Sequence, residues 1–217
     1  MTSSTNYIDE PTRQFRDALR LLFVLARAGE AVDATTAPAG TVKVITSQKR
    51  LQKIDFWVRN PDHLAHAFLD EYERTEDGRW LRHVHDILDN GEPEIRRDEM
   101  LKYMFGAYEP IDTGMAPLIS YGLAKIVRHP ETHRRWFYLL ERGAQIADTM
   151  EAELPQAQWY AQRTALIGQF VAGRGGEDLA RMQYQEPEYA NAPRGETIGS
   201  IAGKVRARLA HLEGRHG

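Results

Sequence analysis

The segment from Met115 to Met150 constrains this chain most, because apolar runs and polar turns alternate there in a fixed order. A short apolar helix is expected to end at Gly122, since glycine readily takes the left-handed conformation that ends helices. A polar turn containing Pro130 separates two β-rich runs, which predicts a long hairpin. The predicted elements are a strand over 123–127, a charged turn over 128–135, a strand over 136–140 and a helix from about 141.

This order of helix, hairpin and helix is that of a winged helix, in which the hairpin forms the wing. The return strand runs into Leu140-Glu141-Arg142-Gly143. This ending is similar to the start of the corresponding helix in winged-helix proteins of the MarR and PadR type.

The remainder of the chain reads as helices separated by polar connections. Apolar residues at helical spacing predict helices over about 12–28, 47–60, 63–72, 79–90, 154–171 and 196–211, with a further helix that begins near 177. The segment Glu92 to Tyr108 is also expected to be helical, although a strand over Lys102 to Phe105 fits as well. The stretches Ala31 to Gly40 and Glu186 to Gly195 are expected to be irregular.

The predicted fold class is therefore mainly α, a helical protein that contains a winged helix-turn-helix with one small β-hairpin as its wing. The predicted organisation is a flexible terminus over 1–10, a helical winged-helix domain over 11–153, and a C-terminal helical extension over 154–217 packed on it.

Composition excludes several classes of protein. The chain has 217 residues, of which 42% are hydrophobic, and it has no cysteine. This excludes disulfides, thiolate metal sites and thiol nucleophiles. No apolar run is long enough for a membrane span, and the amino terminus lacks the pattern of a secretory signal, so we expect a cytoplasmic protein. The formal charge of −3 means that any binding to nucleic acid has to be local.

The sequence offers no motif for catalysis. His63 and His66 are three residues apart without the glutamate of a zinc hydrolase motif, and Gly173 to Gly176 lacks the lysine and strand of a phosphate loop. No serine nucleophile motif is present. We therefore expect a non-catalytic protein with no cofactor and no metal.

The helix before the predicted wing does not suit base recognition. Base edges are read by Arg, Lys, Asn or Gln, and none of these occurs from Tyr103 to Ala124. Asp112, Ser120 and Tyr121 are better suited to a protein partner. The wing has a different composition, since it carries residues that could contact phosphates without reading sequence, unless it is simply a solvated tip: Arg128, His129, His133, Arg134 and Arg135.

Two further candidate surfaces lie near the C-terminus. Lys204, Arg208 and Arg215 share one side of the last helix, where they could be solvated or could face an acidic partner or a DNA backbone. Tyr184 and Tyr189 lie in an irregular stretch and are candidates for partner docking.

Three segments together resemble a known family. They are Arg50 to Pro61 (RLQKIDFWVRNP), Leu101 to Glu109 (LKYMFGAYE) and Leu118 to Leu123 (LISYGL). Their order resembles the small middle component of bacterial ABC-three-component systems, which include Lamassu-type anti-phage defence. The chain departs from the family pattern at 107–109, where Ala-Tyr-Glu replaces Pro-Trp-Asp, and at Phe105, which replaces a tyrosine.

The resemblance implies an adaptor that works with an ABC or SMC-like ATPase subunit and an effector subunit, and it allows non-specific DNA contact inside the complex. The alternative is a MarR- or PadR-like transcriptional regulator that binds DNA as a homodimer.

Overall fold

The computed structural model of the protein describes residues 10–33, 35–92, 96–103, 106–108 and 110–215. Within these ranges the chain is mainly helical and has two small antiparallel sheets, which confirms the predicted class at that level. The predicted flexible terminus, except for its last residue, lies outside the described residues. So do five residues of the segment 92–108 that was predicted to be helical or extended: Pro93, Glu94, Ile95, Met104 and Phe105.

Most predicted helices are present with ends shifted by a few residues. Their bounds are α1 (Glu10–Phe23), α2 (Gln48–Arg59), α3 (Pro61–Thr75), α4 (Arg79–Asp89), α5 (Ile111–Ser120), α6 (Glu141–Glu153), α7 (Pro155–Phe170), α8 (Gly176–Gln185), α9 (Pro187–Asn191) and α10 (Ala202–Gly214). A π-helical segment, Val24–Ala28, continues α1. No helix in the described ranges combines the length and apolarity that crossing a membrane requires.

The strands show where the sequence analysis was incomplete. They are β1 (Glu30–Ala31), β2 (Thr41–Ile45), β3 (Leu101–Tyr103), β4 (Gly106–Tyr108), β5 (Ala124–Arg128) and β6 (Arg135–Leu140). Strands β5 and β6 form the predicted hairpin, but they belong to a four-stranded sheet of order β1-β2-β6-β5. The prediction of one isolated hairpin was therefore wrong, because β2 pairs with β6 across a long sequence separation.

The chain forms two compact units, each assembled from two separate stretches of sequence. The first unit comprises Met1–Leu51 and Pro110–Ala172, and the second comprises Gln52–Glu109 and Gly173–Gly217. The boundary predicted after residue 153 falls inside the first unit.

In the first unit, helices cover the buried face of the four-stranded sheet. Phe137, Leu139 and Ile45 lie on that face and are almost fully buried, as are Leu22 and Leu25 from α1 and its π-helical continuation. This unit also contains α5, α6 and α7.

Two glycines allow the connections around the wing. Gly122 has φ +65°, the left-handed conformation predicted for the end of α5. Gly143 lies in the first turn of α6, where a Cβ atom would be only 2.2 Å from the carbonyl oxygen of Leu123.

The second unit is built around α2, which is buried on nearly all sides. Ser47 caps this helix, since its Oγ accepts a hydrogen bond from the N–H of Arg50 at 3.1 Å. From Gln52 onward the helix belongs to the second unit, where the ring of Phe56 packs against His63 of α3 and Tyr189 of α9. Its charged residues are buried there as well, and Lys53 is only 2% exposed.

The structure corrects the favoured helix over 92–108 and the predicted start of the last helix. Leu101 pairs with Tyr108, and Tyr103 pairs with Gly106, in the β3-β4 hairpin. The N–H of Lys102 also donates to the carbonyl oxygen of Glu196, at 2.9 Å. Because residues 193–196 form a turn and Thr197 bridges to Leu101, α10 begins only at Ala202, and a short helix, α9, occupies part of the stretch expected to be irregular.

Candidate protein-interaction surface

Helix α5 has one apolar side buried in the first unit and a second apolar side exposed to solvent. Met115 and Leu118 are buried, and Gly114 allows a close approach to α1. A Cβ atom on Gly114 would lie 2.8 Å from Cδ1 of Leu21 and 3.3 Å from Cβ of Asp17. The helix is therefore fixed in position by packing along its inner side.

The outer side of α5 and the residue after it expose apolar and aromatic surface. Ile119 is 44% exposed and Tyr121 is 57% exposed. Ser120 lies between them, and its Oγ donates to the carbonyl oxygen of Pro117 at 3.0 Å. We name Ile119, Ser120 and Tyr121 the α5 surface. It combines large apolar groups with no charge, which is typical of protein contacts.

Asp112 and Arg135 were assigned to different surfaces by the sequence analysis, but the structure brings them together. Nη1 of Arg135 lies 3.2 Å from Oδ2 of Asp112, and its other terminal nitrogen bonds Oδ1. The hydrogen bonds from this guanidinium lower the pKa of the Asp112 carboxyl. The charge of Arg135 is thus compensated within the unit, and the pair connects the tip end of β6 to the first turn of α5.

The other wing residues make contacts of a different kind. Nη1 of Arg128 donates to the carbonyl oxygen of His133 at 3.0 Å, and the ring of His129 stacks on Trp136 with centroids 4.3 Å apart. His133 adopts a left-handed backbone, with φ 53°. Within the described residues, neither Arg128 nor Arg134 has a carboxylate within 4 Å. These two cations therefore keep an uncompensated positive charge at the wing tip.

Two basic residues of the predicted stripe on the last helix form ion pairs with acidic residues of their own unit. Nζ of Lys204 lies 2.7 Å from a carboxylate oxygen of Glu188. Arg208 pairs with Asp70 at 2.7 Å and also with Glu73. Arg215 lies just beyond the helix and is exposed. The ion pairs of Lys204 and Arg208 thus hold α10 against other elements of its unit. Because these two charges are compensated, they are poorly suited to bind an external phosphate.

The two candidate tyrosines lie in different environments. Tyr189 is 0% exposed, and its hydroxyl oxygen lies 2.6 Å from Nζ of Lys53 and 2.8 Å from the N–H of Ala107. Burial raises the pKa of Tyr189. Tyr184 packs edge-on against Tyr189 and is still 39% exposed. Tyr189 is therefore part of the core and has no surface for a partner, whereas Tyr184 retains some.

The histidines of the described ranges do not converge on a metal site. In the part of the chain that the structure describes, no group of three or more His, Asp or Glu side chains is arranged to hold a metal ion. His63 is buried, with Nδ1 3.4 Å from Glu186 and Nε2 3.0 Å from the carbonyl oxygen of Gly199. It helps to hold the polypeptide around residues 186 and 199.

The sequence analysis missed a cavity of about 420 Å³ on the other face of the four-stranded sheet. Its floor is formed by four side chains from three adjacent strands: Val44, Val127, Trp136 and Tyr138. The walls are completed by Val32, Asp33, Thr36, Ala37 and Pro38, and by His129 and Pro130 at the wing. The alternation of valines with Lys43 in Thr41–Ile45 is the signal that could have revealed β2, and with it this sheet face.

Comparisons with protein-family models, with curated proteins and with solved structures found no match for this chain.

Proposed function

We propose that this protein is a non-catalytic adaptor that binds a partner protein through the α5 surface. The observation that supports this proposal is the exposure of Ile119 and Tyr121 on a helix whose sequence contains no basic residue. Burial of exposed apolar and aromatic groups by a partner protein is favourable. A DNA backbone carries no apolar surface that could cover these groups, and the helix offers no cation to its phosphates.

The order of elements in the first unit supports a winged-helix interpretation. In a winged helix the first strand pairs with the last, and the hairpin strand between them lies outermost. Here β2 pairs with β6, and β5 is the outer strand. Helix α5 directly precedes β5 in the chain, as the recognition helix precedes the wing in that fold. In this interpretation α5 takes the position of the recognition helix but carries a surface for protein.

The identity of the partners rests on the family resemblance. We propose an ABC or SMC-like ATPase subunit and an effector subunit of a bacterial anti-phage defence complex, acting in the cytoplasm. Non-specific DNA contact within that complex would fall to the wing tip. Arg128 and Arg134 support this, because their charge is not compensated by carboxylates among the described residues.

The test is co-purification of the tagged protein with the products of its neighbouring genes. Replacement Tyr121→Glu places a charge on the α5 surface and should reduce recovery of the partner at least tenfold, since about 1.4 kcal/mol corresponds to a factor of ten. The matched control is Gln145→Glu, which adds the same charge at an exposed position of α6. Equal recovery of the partner with both variants would refute the assignment of the α5 surface.

The regulator alternative makes a distinct prediction in the same experiment. A MarR- or PadR-like protein would be recovered as a homodimer that shifts one operator. Sequence-specific binding of this kind, without a co-purified ATPase, would overturn the adaptor proposal.

A further inference from the structure

The outer strand β5 has backbone groups that no other strand uses. The N–H of His129 donates to the carbonyl oxygen of Arg134, and the N–H of Leu140 donates to that of Leu123, both at 2.9 Å. Because hydrogen-bonded pairs alternate along an antiparallel ladder, Lys125 and Val127 face β6 with their backbone groups. The N–H and C=O groups of Ala124, Ile126 and Arg128 therefore point away from the sheet.

These outward groups are accessible over the second half of the strand. Ala124 is buried, whereas Ile126 is half-buried and Arg128 is exposed. Within the described residues, the backbones of Ile126 and Arg128 have no hydrogen-bond partner. Two donors and two acceptors thus lie along one edge in the alternation that an added strand requires.

The side chains of β5 present a pattern of charge and apolar surface. Opposed residues in an antiparallel pair share a face, so Lys125 and Val127 lie on the face that carries Tyr138 and Trp136. Val127 is part of the cavity floor, while Nζ of Lys125 donates to the carbonyl oxygen of Ala39 at 3.1 Å. Ile126 and Arg128 lie on the opposite face.

We propose that the β5 edge binds an extended acidic and apolar segment of a partner protein, which adds to the sheet as a fifth strand. This inference rests on the proposed adaptor function and specifies a second contact. The segment would place acidic side chains beside Lys125 and Arg128 and apolar side chains beside Ile126 and Val127. An acidic, apolar, apolar, acidic order satisfies this pattern in either strand direction.

A peptide fits this edge better than a DNA backbone does. Phosphates accept hydrogen bonds but cannot donate them, so the outward carbonyl groups of Ile126 and Arg128 would be left facing negative charge. The cavity beside Val127 has Trp136 and Tyr138 in its floor, which suits an apolar side chain. The carboxylate of Asp33 at its wall already accepts hydrogen bonds from Thr35, at 2.9 Å from the N–H and 2.7 Å from Oγ1.

The first experiment uses a rhodamine-labelled peptide with the sequence Thr-Glu-Val-Val-Glu-Thr and the full-length protein. Fluorescence anisotropy measures binding, and amide chemical shifts in NMR spectra locate it. We expect shifts at the amides of Ile126 and Arg128, and binding at least tenfold tighter than that of Thr-Lys-Val-Val-Lys-Thr. Two N-methylated forms of the acidic peptide, blocked at alternate residues, should differ, because only one set of N–H groups faces β5.

The matched protein variants are Ile126→Pro and Ile126→Val. Proline removes the outward N–H while leaving the ladder to β6 intact, so it should weaken binding about tenfold, the effect of losing one or two hydrogen bonds. Valine keeps the N–H and should bind as the native chain does. If proline unfolds the strand, the double replacement Lys125→Glu and Arg128→Glu tests the inference instead, and it should reverse the preference to the lysine peptide.

Equal binding of acidic and basic peptides, or of both N-methylated forms, would overturn the inference. So would peptide binding that is undetectable while a DNA duplex shifts the amides of Arg128 and Arg134. The peptide experiment requires no native partner. A failure of the β5-edge inference in that experiment is therefore distinguishable from a failure of the adaptor proposal, which would appear as absence of the ATPase in the co-purification experiment.

Discussion

Replacement of Gly143 by alanine tests how tightly α6 packs on the start of the wing. Alanine normally stabilises a helix by about 1 kcal/mol relative to glycine. At this position, however, the added Cβ atom would lie 2.2 Å from the carbonyl oxygen of Leu123 and 2.8 Å from Cδ1 of Leu139. The side chain of Leu139 can adjust, but the Leu123 oxygen belongs to the backbone and already accepts a hydrogen bond from the N–H of Leu140 at 2.9 Å.

The clash decides whether Gly143→Ala raises or lowers the free energy of unfolding. Helix α6 has to move away by most of an ångström, or the hydrogen bond between Leu140 and Leu123 has to break. Overpacking of this kind costs about 1 to 3 kcal/mol, and a lost hydrogen bond costs about 1 kcal/mol. After the gain in helix propensity is subtracted, we expect Gly143→Ala to lower the free energy of unfolding by about 2 kcal/mol.

Urea unfolding monitored by circular dichroism measures the change, and hydrogen exchange of peptides around 123–145 locates it. The matched control is Gly203→Ala in α10, where no atom lies within 4 Å of the added Cβ. This control should stabilise its unit by up to about 1 kcal/mol. An unchanged or higher urea midpoint for Gly143→Ala would refute the packing argument.

Two further predictions concern ionisable groups of the second unit. Burial pushes the pKa of Glu186 up, but hydrogen bonds from His63 and from the N–H groups of Glu188 and Tyr189 outweigh it, so the pKa is lowered overall. The stabilisation by ionised Glu186 is thus fully present above pH 4.5, the usual pKa, and is lost as the pH falls. Glu186→Ala also removes the cap of α9 and should lower the free energy of unfolding at pH 7, measured in urea, by about 2 to 4 kcal/mol. An acid unfolding transition that is unchanged in this variant would contradict the prediction. The hydrogen bond from His85 to Glu213 raises the pKa of His85. This partly exposed pair should stabilise the fold by about 0.5 kcal/mol at pH 6, and the stabilisation should disappear as the pH rises through the raised pKa of His85. Thermal melts from pH 6 to pH 9 measure this pH dependence, and His85→Gln should abolish it.

The candidate sites depended on sequence and structure in different ways. The absence of basic residues from the helix before the wing is visible in the sequence, whereas the exposure of Tyr121 is visible only in the structure. The stripe of Lys204 and Arg208 looked similar to the wing in sequence, yet carboxylates of the same unit compensate it. Which charges are compensated depends on residues far apart in the chain, so residue spacing could not predict it.

The sequence by itself determined the local elements. The pattern of apolar residues, Gly122 and the Pro130 turn was sufficient to predict the hairpin and most helices, because helix and turn preferences depend on neighbouring residues. Tertiary structure alone decided that β2 joins this hairpin and that β3 pairs with the chain near Glu196. It also decided that Tyr189 is buried, that Arg135 binds Asp112, and that a cavity adjoins an open strand edge. The physical reason is that strand pairing and burial are set by contacts between distant segments, whose free energy no local pattern contains.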